Sequence, residues 1–175
     1  MSDEATMTPN LANLVGQALD EGSHYIAFRD TEEPDLVREI ARLVSKRHRR
    51  DRVMVVTESL EQMTELAGCV RAFDRDCMVS RISTAGRGVE IGTMKHALRR
   101  VSYPAGAYSL LVLLPGLEHA AKARLVEALP QAAVLDADPY AGQPVRPADR
   151  VLYRPLGSAL QTLQTTTPLT SRYRH

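Results

Sequence analysis

Two carboxylates separated by one residue, Asp136 and Asp138, follow the apolar pair Val134 and Leu135 and precede Pro139. At the carboxyl end of a strand such a pair can hold a divalent metal whose other ligands are a substrate's phosphates. Asp136 and Asp138 are therefore the metal candidates of the chain. The same Asp-x-Asp before proline also organises a β-turn. The histidines at 24, 48, 96, 119 and 175 show no paired spacing for a metal. Glu118 and His119 occupy adjacent positions, which on a helix point to different faces and work against an acid/base pair. No Gly-x-Ser-x-Gly segment offers a serine nucleophile. Cys69 and Cys77 are the only cysteines, too few for a disulfide framework or a zinc site, and they read as buried, reduced thiols.

Charge supplies the other candidates. Net charge is +1, but Asp3, Glu4, Asp20, Glu21, Asp30, Glu32, Glu33 and Asp35 crowd the first 35 residues with Arg29 as their only base, so the rest of the chain is strongly basic. One basic run is Arg42, Lys46, Arg47, Arg49, Arg50 and Arg52; a second is Lys95, Arg99 and Arg100 with His96 beside them. Both could meet phosphates, and both also suit the last turn and solvated face of a helix.

These residues need elements to position them, and the hydrophobic pattern alternates between short Val/Ile/Leu runs and longer segments of helical spacing. The pattern predicts a helix over 9–19 opened by Thr8, a strand at 24–28, a helix over 33–49, and a strand at 52–57. It continues with a helix over 60–73, a strand at 77–82, a loop at Gly86, Arg87 and Gly88, a strand at 89–91 and a helix over 94–101. Tyr108 to Leu114 is a contiguous apolar run that suits the centre of a sheet covered on both faces; a helix over 117–129 and a strand at 131–135 follow. Strands separated by helices of this length pair in parallel through right-handed crossovers. The expected fold class is α/β, a three-layer α/β/α sandwich on a mostly parallel sheet. The α/β domain covers residues 1–140. Beyond it, Pro144, Pro147 and Pro155 mark residues 141–175 as an irregular segment with one edge strand at 150–153 and a Ser/Thr-rich tail, 158–175, free to dock on a neighbour.

At 175 residues, 44% hydrophobic and 25% charged, the composition is that of a globular protein and excludes collagen-like and disordered classes. Its longest apolar stretches, such as Leu110 to Leu114, fall far short of the roughly 20 residues a membrane helix needs. No membrane partner is expected, and the acidic N-terminus without an apolar stretch predicts a cytoplasmic location.

In an open parallel sheet ligands bind beyond the carboxyl ends of the strands. The first strand is followed by Arg29, Asp30, Thr31, Glu32, Glu33, Pro34 and Asp35, without glycine. A phosphate cradle needs converging backbone N–H groups, and this acidic turn repels a triphosphate. The segment at 113–116 reads Leu, Leu, Pro, Gly, with no aspartate for magnesium. As an ordered set, the strand ends nonetheless resemble the first RecA-like domain of superfamily 2 helicases, including the flavivirus-like viral branch. Val53 to Thr57 with the helix to Arg71 resembles the family's first nucleic-acid-contact motif, and Thr84 to Gly88 the next loop. Ile91, Gly92, Thr93, Met94 and the basic helix resemble the Gly-Thr motif, and Leu135 to Pro139 stands where the family has Ser-Ala-Thr-Pro. The phosphate loop is replaced by Asp30 to Asp35 and the acidic metal pair by Leu114 and Pro115.

The resemblance, over roughly residues 24–140, implies a RecA-like (P-loop NTPase-like) sheet and a catalytically inactive module that needs no cofactor. It implies nucleic-acid contacts through Arg87, Thr93, Lys95, Arg99 and Arg100, or a protein partner within a larger viral or mobile-element assembly. Two alternatives stay open. One is a magnesium-dependent nucleotide or sugar-nucleotide transferase using Asp136 and Asp138. The other is a purely structural subunit that binds other protein subunits through residues 158–175.

Overall fold

The computed structural model describes residues 10–30, 36–103, 108–137, 145–154 and 161–163. Helices and strands alternate in the order α1 (Leu11–Asp20), β1 (Tyr25–Asp30), α2 (Leu36–Arg47), β2 (Val53–Thr57), α3 (Leu60–Phe73), β3 (Val79–Arg81), β4 (Val89–Thr93), α4 (Met94–Val101), β5 (Leu110–Leu113), α5 (His119–Ala128), β6 (Ala133–Asp136), β7 (Arg150–Arg154) and β8 (Gln161–Leu163). The ends of α3 and α4 fall where the sequence pattern put them, and α3 shows why. Ser59 Oγ accepts from the Gln62 N–H at 3.2 Å, satisfying a donor that a helix start leaves unpaired, while Gln62 Oε1 accepts from the Glu58 N–H just before the cap at 2.9 Å. The first helix starts later than expected. Its cap is Asn10, whose Oδ1 accepts from the Asn13 N–H at 2.9 Å, and the expected cap Thr8 lies outside the described residues.

The eight strands form one sheet in the order β3-β4-β2-β5-β6-β1-β7-β8. Every pairing is parallel except β7 with β8. In register, Val55 of β2 stands between Ile91 of β4 and Val112 of β5, and Leu135 of β6 between Val112 and Ile26 of β1. Alternate residues point to opposite faces. Ile26, Phe28, Val53, Val55, Leu110, Val112 and Leu135 pack with α1, α2 and α3 on one side; Tyr25, Met54, Val56, Leu111, Leu113 and Val134 pack with α4 and α5 on the other. Helices thus cover both faces, which is why the central strands carry no polar alternation. The architecture is the expected three-layer α/β/α sandwich with a RecA-like, mostly parallel sheet.

The C-terminal segment contributes more to the sheet than its prolines suggest. β7 pairs with β1 over Ile26 to Asp30 and is not the edge; β8 is, pairing Val151 with Leu163 and Tyr153 with Gln161. Gln161–Leu163 falls inside the segment read from sequence as a tail. The reason is local: the outer side of β1 presents a row of backbone donors and acceptors that β7 satisfies, with Pro147 and Pro155 flanking β7 instead of interrupting it.

Candidate nucleic-acid interface

The helix α4 leaves β4 without a connecting loop, so the end of the strand sets its direction. Thr93 is the last residue of β4 and the cap of α4. The Thr93 backbone N–H donates to His96 Nδ1 at 3.3 Å, and Thr93 Oγ1 lies 3.0 Å from the same nitrogen. A backbone N–H can only donate, so Nδ1 accepts and the neutral ring carries its proton on Nε2. Positions 96, 99, 100 and 103 follow the three- and four-residue spacing that shares one side of a helix. Their side chains form one wall of a cleft of about 390 Å³ whose other wall is Ile82, Ser83 and Thr84 from the turn after β3.

Among the described residues no acid lines this cleft. It offers two guanidinium groups, an imidazole N–H and hydroxyls from Ser83, Thr84 and Tyr103, all of which can donate to phosphate oxygens. Tyr103 is 54% exposed. Arg100 is 6% exposed and lies over the Tyr108 ring, 5.9 Å from its centroid, with the Arg52 guanidinium at 4.5 Å from the same ring. Behind them Glu90, fully buried, accepts from Arg52 Nη2 at 3.3 Å. Burial, and then the Glu90 carboxylate, push the Tyr108 phenol up to about 12. This buried group of opposite charges and an aromatic ring fixes the Arg100 stem while Arg99 stays in solvent.

The loop 83–88 is held from the β3 side. Ser80 Oγ accepts from the Arg87 N–H at 3.0 Å and donates to the Arg87 carbonyl at 2.8 Å. Gly88 has φ +67°, and a Cβ there would overlap the Met78 carbonyl. The residues singled out from sequence thus take different places. Arg99 and Arg100 line the cleft. Lys95 is exposed one turn before Arg99, Thr93 starts the helix, and Arg87 is exposed on the loop without lining the cleft. Ser83 and Tyr103 were not among the sequence candidates, and His96 entered only as a neighbour of the second basic group; the spacing of His96, Arg99, Arg100 and Tyr103 is the signal that marks these four as co-facial.

At the carboxyl edge of the sheet β5, β6 and β1 are neighbours, so the ends of these strands lie side by side. Asp136, however, does not face a ligand. It is 3% exposed, and Lys122 Nζ, itself 1% exposed, lies 3.0 Å from Oδ1 and 3.2 Å from Oδ2. Tyr25 Oη donates to Oδ2 at 2.6 Å. Burial, followed by this carboxylate, raises the Tyr25 phenol far above its ordinary range, and the Arg146 guanidinium lies 5.3 Å from the centre of its ring. Contrary to the metal reading, the Asp136 carboxylate is committed to an internal ion pair, because α5 carries a lysine directly over it. Asp138 and the acidic turn 31–35 lie outside the described residues. Among the described residues no group of three or more His, Cys, Asp or Glu is placed to hold a metal ion.

After β5 the chain turns at Leu114, Pro115 and Gly116; Gly116 has φ +92°, and the Glu58 carboxylate from the end of β2 fills the place of its missing Cβ. Glu118 and His119 are exposed at the start of α5. Both cysteines are free, Cys77 buried and Cys69 half-buried, and burial pushes the Cys77 thiol up to about 11. Among the described residues no helix is long and apolar enough to cross a membrane.

By its sheet the chain falls in the RecA-like α/β class. No family model matches it, and no curated protein matches it either. The cleft therefore has to be interpreted from its own chemistry.

Proposed function

We propose that this chain is a helicase-like RecA-fold module without ATPase activity that binds a nucleic-acid strand in the cleft between the 83–88 loop and α4. The observation that carries this reading is the cleft lining, which has donors on both walls and, among the described residues, no carboxylate. Of the two segments that resemble helicase nucleic-acid motifs, Thr84 from the first and Arg99 and Arg100 from the basic helix of the second line this one cleft. Backbone phosphates are recognised by this set of hydroxyl, guanidinium and imidazole donors. The ATP-binding half of the resemblance is missing in residue type: Asp30 to Asp35 stands in place of a glycine-rich loop and Leu114–Pro115 in place of the acidic pair. The transferase alternative loses its main support in the Lys122–Asp136 ion pair. A structural subunit uses the same sheet and predicts no binding at α4.

Fluorescence anisotropy with a labelled single-stranded oligonucleotide across a salt series tests the reading. Binding should weaken steeply with salt, and Lys95→Ala/Arg99→Ala should lower the slope of log K against log salt by about 0.7–0.9 for each phosphate that the variant no longer neutralises. Both side chains reach solvent, so the fold tolerates their removal. A double variant that binds like the parent protein removes α4 from the interface, and a parent protein that binds no oligonucleotide leaves the structural subunit.

A further inference from the structure

Two aromatic rings are exposed among the described residues, and each stands beside two arginines. Tyr103, with Arg99 and Arg100, belongs to the cleft already described. Phe73, 37% exposed, does not: it ends α3, which packs on the opposite face of the sheet from α4. The Arg42 guanidinium lies 5.2 Å and that of Arg38 5.8 Å from the Phe73 ring centre. We propose that Phe73, with Arg38, Arg42 and Lys46, is a second station for the nucleic-acid strand, where one unpaired base stacks on the ring and the neighbouring phosphates lie on the cations of α2. The proposal rests on the nucleic-acid reading of the α4 cleft and adds a separate site to it.

Residues 38, 42 and 46 recur at the spacing of one helix face and span about 12 Å at 1.5 Å per residue. Arg38 and Arg42, one turn apart, both approach Phe73 from α2, so the exposed part of the ring lies away from that helix. Beside it runs an open trough of about 460 Å³ lined by Asn13, Arg42, Ser45, Lys46, Phe73 and Asp74 among others. Lys46 Nζ meets the neutral Asn13 amide at 3.4 Å. Among the described residues the trough has one acid, Asp74, which is engaged with His48 Nε2 at 2.8 Å and lies 4.0 Å from Arg49; the His48 contact holds its carboxyl below the usual range. Cations, amide and hydroxyl donors beside a flat apolar ring are the combination that binds single strands, since every base has a face to stack and only an unpaired one can present it. An acidic peptide uses the cations and leaves the ring in water.

Topology links the two stations. α3 runs from β2 to the start of β3 and α4 from β4 to the start of β5, so Phe73 and Tyr103 both lie toward the amino ends of the strands, on opposite faces. A strand that rounds the β3 edge, where Arg75, Arg81 and Arg87 are exposed, meets both. This gives Arg87 a role although it does not line the cleft.

The test is photo-crosslinking of the full chain to oligouridylate carrying 5-iodouridine at successive positions, with the modified peptides read by mass spectrometry. Crosslinks are expected in two peptides, one containing Phe73 and one containing Tyr103. Phe73→Ala should weaken binding by about 5- to 150-fold, the range for loss of one stacked base. Phe73→Leu, which keeps an apolar side chain but no ring, should weaken it in the same way, and Phe73→Tyr should restore it. A Phe73→Leu protein that binds like the parent, or polyglutamate displacing the Phe73 crosslink as well as unlabelled oligonucleotide does, overturns the proposal in favour of an acidic protein partner. Crosslinks confined to the Tyr103 peptide overturn the second station and leave the first intact, whereas crosslinks in neither peptide sink both.

Discussion

Asp136→Asn distinguishes the buried ion pair from a metal site by a large effect. In the parent protein the Asp136 carboxylate is shielded from water; its charge is compensated by Lys122 at 3.0 and 3.2 Å and by the Tyr25 hydroxyl at 2.6 Å. The amide removes the negative charge and leaves an ammonium that is 1% exposed without this counter-ion. Breaking one partner of such a buried pair costs about 3–5 kcal/mol, a large share of the roughly 5–15 kcal/mol typical of a domain. For a chain of this length that corresponds to a melting point lower by about 6–20 °C. Lys122→Met should cost a similar amount, while Lys122→Met combined with Asp136→Leu should recover most of the loss, since a buried pair replaced by apolar groups of similar volume is often neutral. Tyr25→Phe removes only one hydrogen bond to a charged acceptor and should cost about 1.5–3 kcal/mol. Urea unfolding followed by circular dichroism gives all four values. An Asp136→Asn protein within about 1 kcal/mol of the parent, the scale of an exposed pair, together with a magnesium-dependent rise in melting point that this substitution abolishes, would refute the buried-pair account and restore the metal role.

Three further outcomes are expected. Gly88→Ala places a side chain at φ +67° against the Met78 carbonyl; it should cost at least about 1–2 kcal/mol from the backbone alone and weaken oligonucleotide binding by moving the 83–84 wall, which thermal melts and anisotropy on the same sample will show. The neutral Tyr108 phenol, favoured in the folded state up to about 12, contributes stability that is fully present below pH ~10 and is lost as pH rises through that folded value. Tyr108→Phe should therefore flatten the fall in urea midpoint between about pH 10 and 12, by about 2–3 kcal/mol at most, and an equally steep fall in the variant rules this out. Asn10→Ala should destabilise by about 0.5–2 kcal/mol through loss of the α1 cap, measured by the same denaturation.

Much of the scaffold was legible because its signals are local. The run Leu110 to Leu113 and the helix over 60–73 each follow from a few neighbouring residues, and both take the expected form. β8 was not legible: Gln161, Thr162 and Leu163 carry no strand pattern of their own and pair only because β7 offers an edge. Of the candidate site, Arg99 and Arg100 were visible as a basic pair, whereas Ser83 and Thr84 join them only when the turn after β3 is brought across from α4. Asp136 was misplaced for the opposite reason. Nothing in Leu135, Asp136, Ala137 indicates that a lysine fourteen positions earlier will sit over the carboxylate.

By itself, the order of apolar runs and amphipathic segments determined an α/β chain with parallel strands, and residue types alone determined that no glycine-rich phosphate loop follows the first strand and no acidic pair follows the fifth. Tertiary structure decided which charges work outward and which inward. Arg99 faces a cleft and Phe73 a trough, while Lys122, Asp136 and Glu90 are turned into the protein, because burial and pairing depend on which helix lies over which strand end, and that is settled only when the sheet has its order.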